Sequence, residues 1–385
     1  MHRKDFTWAR SLFPHAGKTV YFNTASFGPF ASPVAEAIKA NIDQRLDASR
    51  DDSLEAFATA DELRNMYARM LKARKREIGL GFNTSHGINI AAYGLPLKPG
   101  DEVLVTDVEF PAVVYTWKEA ARQRGLKLKF VRTVDRRLDI QRLKRAIGKR
   151  TRVLAISWVQ FFNGYRNDLA ELAEICKRHN LFYVVDGIQG MGVEPINPGK
   201  LGIDIFSSGC QKWMLSPQGC GFFYLSDRIR DRLQVPGISW LSADWKVQFT
   251  DLFRYDLPLF DSARRFEQGY YVVLNLMGMK QAADLFLSLG ISRIRKHNYA
   301  LIDRLADYLN SEPFYTITSS MEPKHRSSIF TFTCRDYQRL HRKILKKGII
   351  LVQREGSIRV SVHLFNNEED IDRLIDVLRA FAKRA

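Results

Sequence analysis

FYVVDGIQGMGVEPINPGKLGIDIFSSGCQKWMLSPQGCGFF, residues 182–223, is the stretch on which the reading of this chain turns. Tyr183, Val184 and Val185 form a short apolar run that stops at Asp186 and is followed at once by Gly187. A buried parallel strand ends in this way at the carboxyl edge of its sheet. A second run, IDIF at 203–206, gives way to Ser207, Ser208 and Gly209, after which Cys210, Gln211 and Lys212 lead into Trp213. Ligands of open α/β sheets sit at such strand ends, so the pattern brings a carboxylate and an amine to one pocket. The apolar and glycine-rich flanks of Lys212 do not describe a solvated surface loop.

An amine and a carboxylate on two successive strand ends suit pyridoxal 5'-phosphate. That cofactor needs an amine to hold its aldehyde as a Schiff base and an anion to keep its ring nitrogen protonated. Lys212 is read as the amine and Asp186 as the anion, and these two are the candidate catalytic residues. A pyridinium braced by a carboxylate draws electrons from the substrate Cα.

Seven segments carry a resemblance in the same order along the chain: FNTASFGPFASPV (22–34), FNTSHGINIAAYGL (82–95), VLVTDVEFPAVVYTW (103–117), VVDGIQGMG (184–192), SSGCQKW (207–213), RRFEQGY (264–270) and IRVSVHLFNNEEDIDRL (358–374). Together they resemble the class V aminotransferase branch of fold-type I pyridoxal-phosphate enzymes. That branch holds cysteine desulfurases, isopenicillin N epimerase-like proteins, kynureninases and several aminotransferases. Seven ordered matches are specific where one alone would be weak. The resemblance implies an α/β fold of the fold-type I transferase kind: a large domain with a mostly parallel seven-stranded sheet between helices, and a smaller α+β C-terminal domain. The expected boundaries are an N-terminal arm over 1–30 that contributes to the small domain, a cofactor-binding domain over 31–275, and the small domain over 276–385.

The same resemblance assigns the site residue by residue. Unpaired amides at a helix N-terminus make a phosphate seat, and the turn at Thr84, Ser85, His86 and Gly87 is where the family places its phosphate. Ser85 and His86 are the expected donors, with Ser208 within reach. Phe110 occupies the position of the ring that stacks on the cofactor, where desulfurases usually have histidine. Gln189 is expected at the cofactor's phenolic oxygen. The loop asparagine that often joins it is replaced here by Phe161, which leaves Gln160 or Asn163 for that contact. Gln211 stands before the lysine where histidine is commoner. Tyr270 stands where a threonine of the family crosses to the partner subunit's phosphate, which implies a homodimer with shared sites. Arg359 is the expected grip on the substrate α-carboxylate, because a planar guanidinium pairs with it through two bonds. Asn23, with Ala25 and Ser26, walls the substrate entrance, and His363 and Asn366 seat a helix cap. The stretch before Arg359 holds no cysteine, and Cys334 reads as a buried structural thiol, so a persulfide-forming desulfurase is disfavoured.

Composition agrees with a large soluble chain. The 385 residues are 45% hydrophobic, enough for two or three folding units. No leader pattern opens the chain and no run approaches a membrane span, so a cytoplasmic protein is expected. Four cysteines without paired spacing predict neither a disulfide scaffold nor a metal site. The net charge of +17 gathers in KARKR (72–76), in 122–152 and in HRKILKKG (341–348). A solvated basic surface accounts for it, and nucleic-acid binding is a minor rival because no recognition motif accompanies the charge. The expected activity is transamination at Cα of an amino acid. A carbon–sulfur lyase or an epimerase comes next, and a non-catalytic nucleic-acid-binding protein is the reading from another class.

Overall fold

Short β-branched runs alternating with amphipathic helices bury both faces of a sheet only when the helices lie across it. The chain does this in a computed structural model that describes residues 5–48, 53–234, 237–245 and 251–383. Seven strands, β1 (Ile78–Gly81), β2 (Glu102–Thr106), β3 (Lys127–Val131), β4 (Thr151–Ser157), β5 (Phe182–Asp186), β6 (Ile205–Gly209) and β7 (Gly221–Leu225), form one sheet in the order β1-β7-β6-β5-β4-β2-β3. Only β7 runs against the rest, pairing antiparallel with β1 and β6.

The two faces follow the two-residue period of a strand. Tyr183, Val185, Phe206, Phe222 and Tyr224 join one buried cluster, while Phe182, Val184, Ile205, Phe223 and Leu225 join another on the opposite side. Helices α1 (Ser32–Asp47), α2 (Ser53–Leu71), α5 (Leu169–Arg178) and α6 (Val273–Leu289) feed the first cluster, and α3 (Thr84–Gly94) and α4 (Pro111–Arg124) the second. The parallel central strands β4, β5 and β6 therefore leave their carboxyl ends as the open edge of the layer.

A second unit carries a four-stranded antiparallel sheet of β8 (Thr316–Ile317), β9 (Ile329–Thr333), β10 (Val352–Arg354) and β11 (Ser357–Ser361), in the order β10-β11-β9-β8. Phe330, Phe332, Ile358 and Val360 pack one face against Leu305 and Ile302 of α7 (Ile291–Ser311) and Leu374 and Leu378 of α8 (Glu368–Ala382). The alternate residues Thr331, Ser357, Arg359 and Ser361 face the other way, and the loops on that side bond to the first unit, Ser319 Oγ to Asn163 O at 2.6 Å and Ser327 Oγ to Gly164 O at 2.7 Å.

The N-terminal arm ties the units together. Val20–Tyr21 pairs in parallel with Ile349–Ile350, Asn23 bridges Ser361, and the Gly28 amide then donates to Gln211 O at 2.9 Å. A buried ion pair braces the other side: Arg64 on α2 meets both oxygens of Glu267 at 2.8 and 2.7 Å, while Glu267 Oε1 also accepts the Leu80 amide of β1 at 2.8 Å. Removing one partner of such a pair strands the other charge in the interior. Glu267→Ala is expected to lower unfolding free energy by about 3–5 kcal/mol in urea titrations. A loss no larger than the ~1 kcal/mol of an exposed pair would contradict this bracing role.

Candidate active site

Asp186 closes β5 level with Ser157 of β4 and Ser207 of β6, so its carboxylate emerges at the open strand edge. It is buried and accepts the Ile188 amide at 3.0 Å. Burial pushes its carboxyl up to about 6, against the pull of that amide and of Lys212. Lys212 lies on the turn after β6, and burial pushes its ammonium down to about 8, with attraction to Asp186 opposing the shift and Arg359 and Arg354 adding to it. The two groups sense each other but close no ion pair among the described residues.

Phe110 flanks this gap. Pro111 at the first turn of α4 forces an extended backbone on the residue before it, φ −63° and ψ 143°, which turns the ring out of the helix. The ring is 38% exposed, so it is not core, and Lys212 Nζ lies 5.3 Å from its centroid. Phe161 meets it edge-on at 5.2 Å.

The backbone around Lys212 is fixed from three sides. Gly28 approaches so closely that a Cβ there would lie 2.2 Å from Lys212 O. The Trp213 indole donates to Gln189 Oε1 at 2.8 Å, and Gln189 Nε2 donates to Ala25 O at 3.1 Å. His363 donates Nε2–H to Trp213 O at 2.7 Å while its Nδ1 accepts the Leu364 amide, and burial pushes it down to about 3. Gln189 thus has an N–H to spare for a ligand but spends its carbonyl on the lysine turn.

At the expected phosphate end, Thr84 joins α3 to β6: its Oγ1 accepts the Gly209 amide at 2.9 Å and its carbonyl accepts Ser207 Oγ at 2.8 Å. Asn83 caps the helix by accepting the His86 amide at 3.1 Å, which leaves the Ser85 amide and hydroxyl as the donors of this turn. The His86 ring stacks on Phe82 at 5.5 Å and meets Phe223 at 5.3 Å, and burial lowers its pKa. The ring is held between two aromatic side chains. Ser208 Oγ donates to Gly209 O at 3.0 Å, and Gln211 folds back over Gly209 with its Oε1 buried and unbonded among the described residues.

Arg359 on β11 is 1% exposed and has no carboxylate partner among the described residues. It donates to Phe161 O at 2.6 Å, Ser26 Oγ at 2.5 Å and Asn23 Oδ1 at 3.4 Å, and its Nε stays unbonded. Burial, aided by Arg354, pushes it down to about 9. A buried cation without a counterion is costly, and an incoming carboxylate would remove that cost. Asn23 and Ser26 thus hold the Arg359 guanidinium rather than standing free in a wall.

Tyr270 is exposed, parallel to the exposed Trp240 at 6.1 Å and edge-on to the buried Phe57 at 5.8 Å. Asn163 serves its own turn, accepting the Tyr165 amide at 3.0 Å. Gln160 donates to Glu109 Oε1 at 3.1 Å. The Glu109 carboxylate is the buried acid that sequence reasoning passed over. It also accepts Thr106 Oγ1 at 2.7 Å and the Ser157 amide and hydroxyl at 2.9 and 2.5 Å, and burial raises its pKa. The signal for it was an acid immediately before Phe110, in a loop leaving an apolar strand.

The residues present fit pyridoxal phosphate: a buried carboxylate and a depressed amine without direct closure, a ring beside them, a capped helix end, and an unpaired guanidinium. The family described as Aminotransferase class-V matches residues 37–374, and the chain belongs to it. It is an enzyme of a pyridoxal-phosphate-dependent family. An uncharacterized aminotransferase, YcbU of Bacillus subtilis, is 23% identical over 96% of both chains, and isopenicillin N epimerase of Streptomyces clavuligerus is 25% identical over 98% of both. A cysteine desulfurase from Thermococcus onnurineus NA1, in its apo structure, superposes with a TM-score of 0.85 at 22% identity over 98% of each chain, which establishes the fold-type I architecture.

Only a neutral amine attacks an aldehyde. Uptake of pyridoxal phosphate by the apoprotein, followed by absorbance, is expected to accelerate with rising pH and to level off above about 8. A rate still climbing toward the ordinary lysine value of 10.5 would contradict the placement of Lys212.

Proposed function

We propose that this protein transaminates an α-amino acid, with Lys212 and Asp186 as its catalytic residues. The observation that carries the reading is Arg359, a buried guanidinium without a carboxylate partner among the described residues, near enough to Lys212 to lower its proton affinity. Pyridoxal phosphate would supply the electron sink at Cα. Asp186 would hold the ring nitrogen, Phe110 would cover one face, and Ser85, Ser208, Gln211 and Gln189 would hold the phosphate and phenolic ends.

Arg359 would meet the substrate carboxylate through its unbonded Nε and the second N–H of Nη1, while Asn23 and Ser26 hold Nη2 and keep the guanidinium in place. This fixes Cα over the Lys212 amine. With its proton affinity lowered to about 8, that amine takes the Cα proton and returns it on the same side. With pyridoxal phosphate bound, Lys212 would deliver the proton elsewhere than Cα, and that choice would make the outcome transamination. Tyr270, exposed and outside the Lys212 pocket, is proposed to reach the second subunit of a homodimer.

Persulfide chemistry has no support in the thiols. All four cysteines are buried and burial raises every one of them, Cys176 and Cys210 to about 12. The chain between Arg354 and Ser357 is a two-residue turn, Glu355 and Gly356, with no loop to carry a nucleophile.

Incubation with a panel of amino acids is expected to convert the cofactor to pyridoxamine phosphate with release of the oxo acid. Racemised amino acid or pyruvate without pyridoxamine phosphate would replace this reading with epimerisation or β-elimination. Lys212→Ala should abolish the borohydride-sensitive visible absorbance. Arg359→Lys should keep that absorbance while weakening amino-acid binding about 10- to 100-fold, the worth of a charged hydrogen bond.

A further inference from the structure

Arg354 lies on the same sheet face as Arg359. Val352 is the direct partner of Arg359 across β10 and β11, and Arg354 pairs with Ser357, so the two arginines are diagonal neighbours on the side turned from the Ile358 and Val360 core. The turn between them is tight: Glu355 and Gly356 both take positive φ, 47° and 84°. This makes a two-residue hairpin and holds Arg354 close to the site rather than at the tip of a long loop. Arg354 donates one bond to Gln353 O at 2.9 Å, and its guanidinium has no carboxylate partner among the described residues. Its neighbour Glu355 is engaged by Arg136, at 3.7 Å to the carboxylate and 2.9 Å to the carbonyl. Arg354 is exposed and lines a cavity of about 480 Å³ with Phe162, Asn163 and Ser357, in which Asp135 and Glu355 are the acids and Arg136 and Arg137 further bases.

The charge around the pocket is lopsided. Arg354 bears on both Lys212 and Arg359, lowering the proton affinity of each. A substrate with one carboxylate satisfies Arg359 and leaves Arg354 unmatched.

We propose that Arg354 is a specificity residue that pairs with a second anionic group, so that the preferred substrate is an acidic amino acid. The inference rests on the amino-acid reading above and names the substrate class for it. Arg359 holds the α-carboxylate, and the side-chain carboxylate extends along the sheet face to Arg354 and the open space beside it. Arginine suits this second role for the same reason as the first, since its planar fork matches a carboxylate.

The test compares shape-matched ligands on the cofactor-loaded protein. Dissociation constants for aspartate, asparagine, glutamate and glutamine are read from the change in cofactor absorbance. One acid is expected to bind at least about tenfold tighter than its own amide, the scale of one charge-assisted pair. Arg354→Gln should erase that gap by weakening the acid alone, and Arg354→Lys should restore part of it. Thermal melting confirms that both variants fold. Equal constants for acid and amide in the unaltered protein, or a preference that survives Arg354→Gln, overturns the assignment while leaving the amino-acid reading intact. If no amino acid changes the absorbance, that reading falls and this one with it.

Discussion

Asp186, Lys212 and Arg359 are held out of water together without any of them closing on another. Each is shifted toward its neutral form, the carboxyl up to about 6, the amine down to about 8 and the guanidinium down to about 9. Desolvation is the first cause in every case; attraction between Asp186 and Lys212 opposes it, while Arg354 adds to it at both Lys212 and Arg359. Left to themselves, flexible side chains of opposite charge would collapse into a pair. The backbone prevents this by placing Asp186 at the end of β5, Lys212 beyond β6, and Arg359 on a different sheet altogether. The separation is what lets ligands, rather than each other, satisfy them.

Keeping that separation is the work of segments far apart in sequence. The N-terminal arm bridges Ser361, two residues from Arg359, and then lies against the lysine turn through Gly28. A side chain at Gly28 would collide with the Lys212 carbonyl, so its absence sets how closely the arm can lie. Gln189, Trp213 and His363 form a chain of hydrogen bonds from the strand-edge loop through the lysine turn to the second unit. Burial keeps His363 neutral, so that link does not loosen by gaining a proton near neutral pH.

Much of this was legible in the sequence because it follows from burial. The runs ending at Asp186 and before Lys212 are strands, and their alternate residues divide between two cores as a two-residue period requires. Arg359 was singled out by the resemblance of its segment to the family, not by a local pattern. What the letters hid were choices among local partners. Asn83 takes the His86 amide and two aromatic rings take the His86 side chain, so a residue read as a phosphate donor packs instead. Gln160 and Asn163 have the right chemistry for the cofactor's oxygen, but Glu109 and the Tyr165 amide reach them first. The run GIILVQ reads as one strand. It splits into Ile349–Ile350, paired with the N-terminal arm, and β10, paired with β11, because two different edges compete for its hydrogen bonds. No local pattern encodes such a competition.

The ring at position 110 bears on proton traffic in a way that only the assembled site makes clear. A histidine over the cofactor would offer a second group titrating near neutral pH; Phe110 offers none. The histidines nearby do not replace it, since burial lowers His86 and His363 alike and His363 is locked between a carbonyl and an amide. Glu109, adjacent in sequence, is committed to four donors from three residues. Of the groups at the strand edge with shifted values, Lys212 is the one that both stands beside the aromatic ring and titrates close to neutrality. On the proposed reading, a proton leaving Cα would have one short route, and the same nitrogen would serve the bond made next. That favours reactions in which a single base gives back on one side what it took there, and it disfavours those that need an acid and a base on opposite faces.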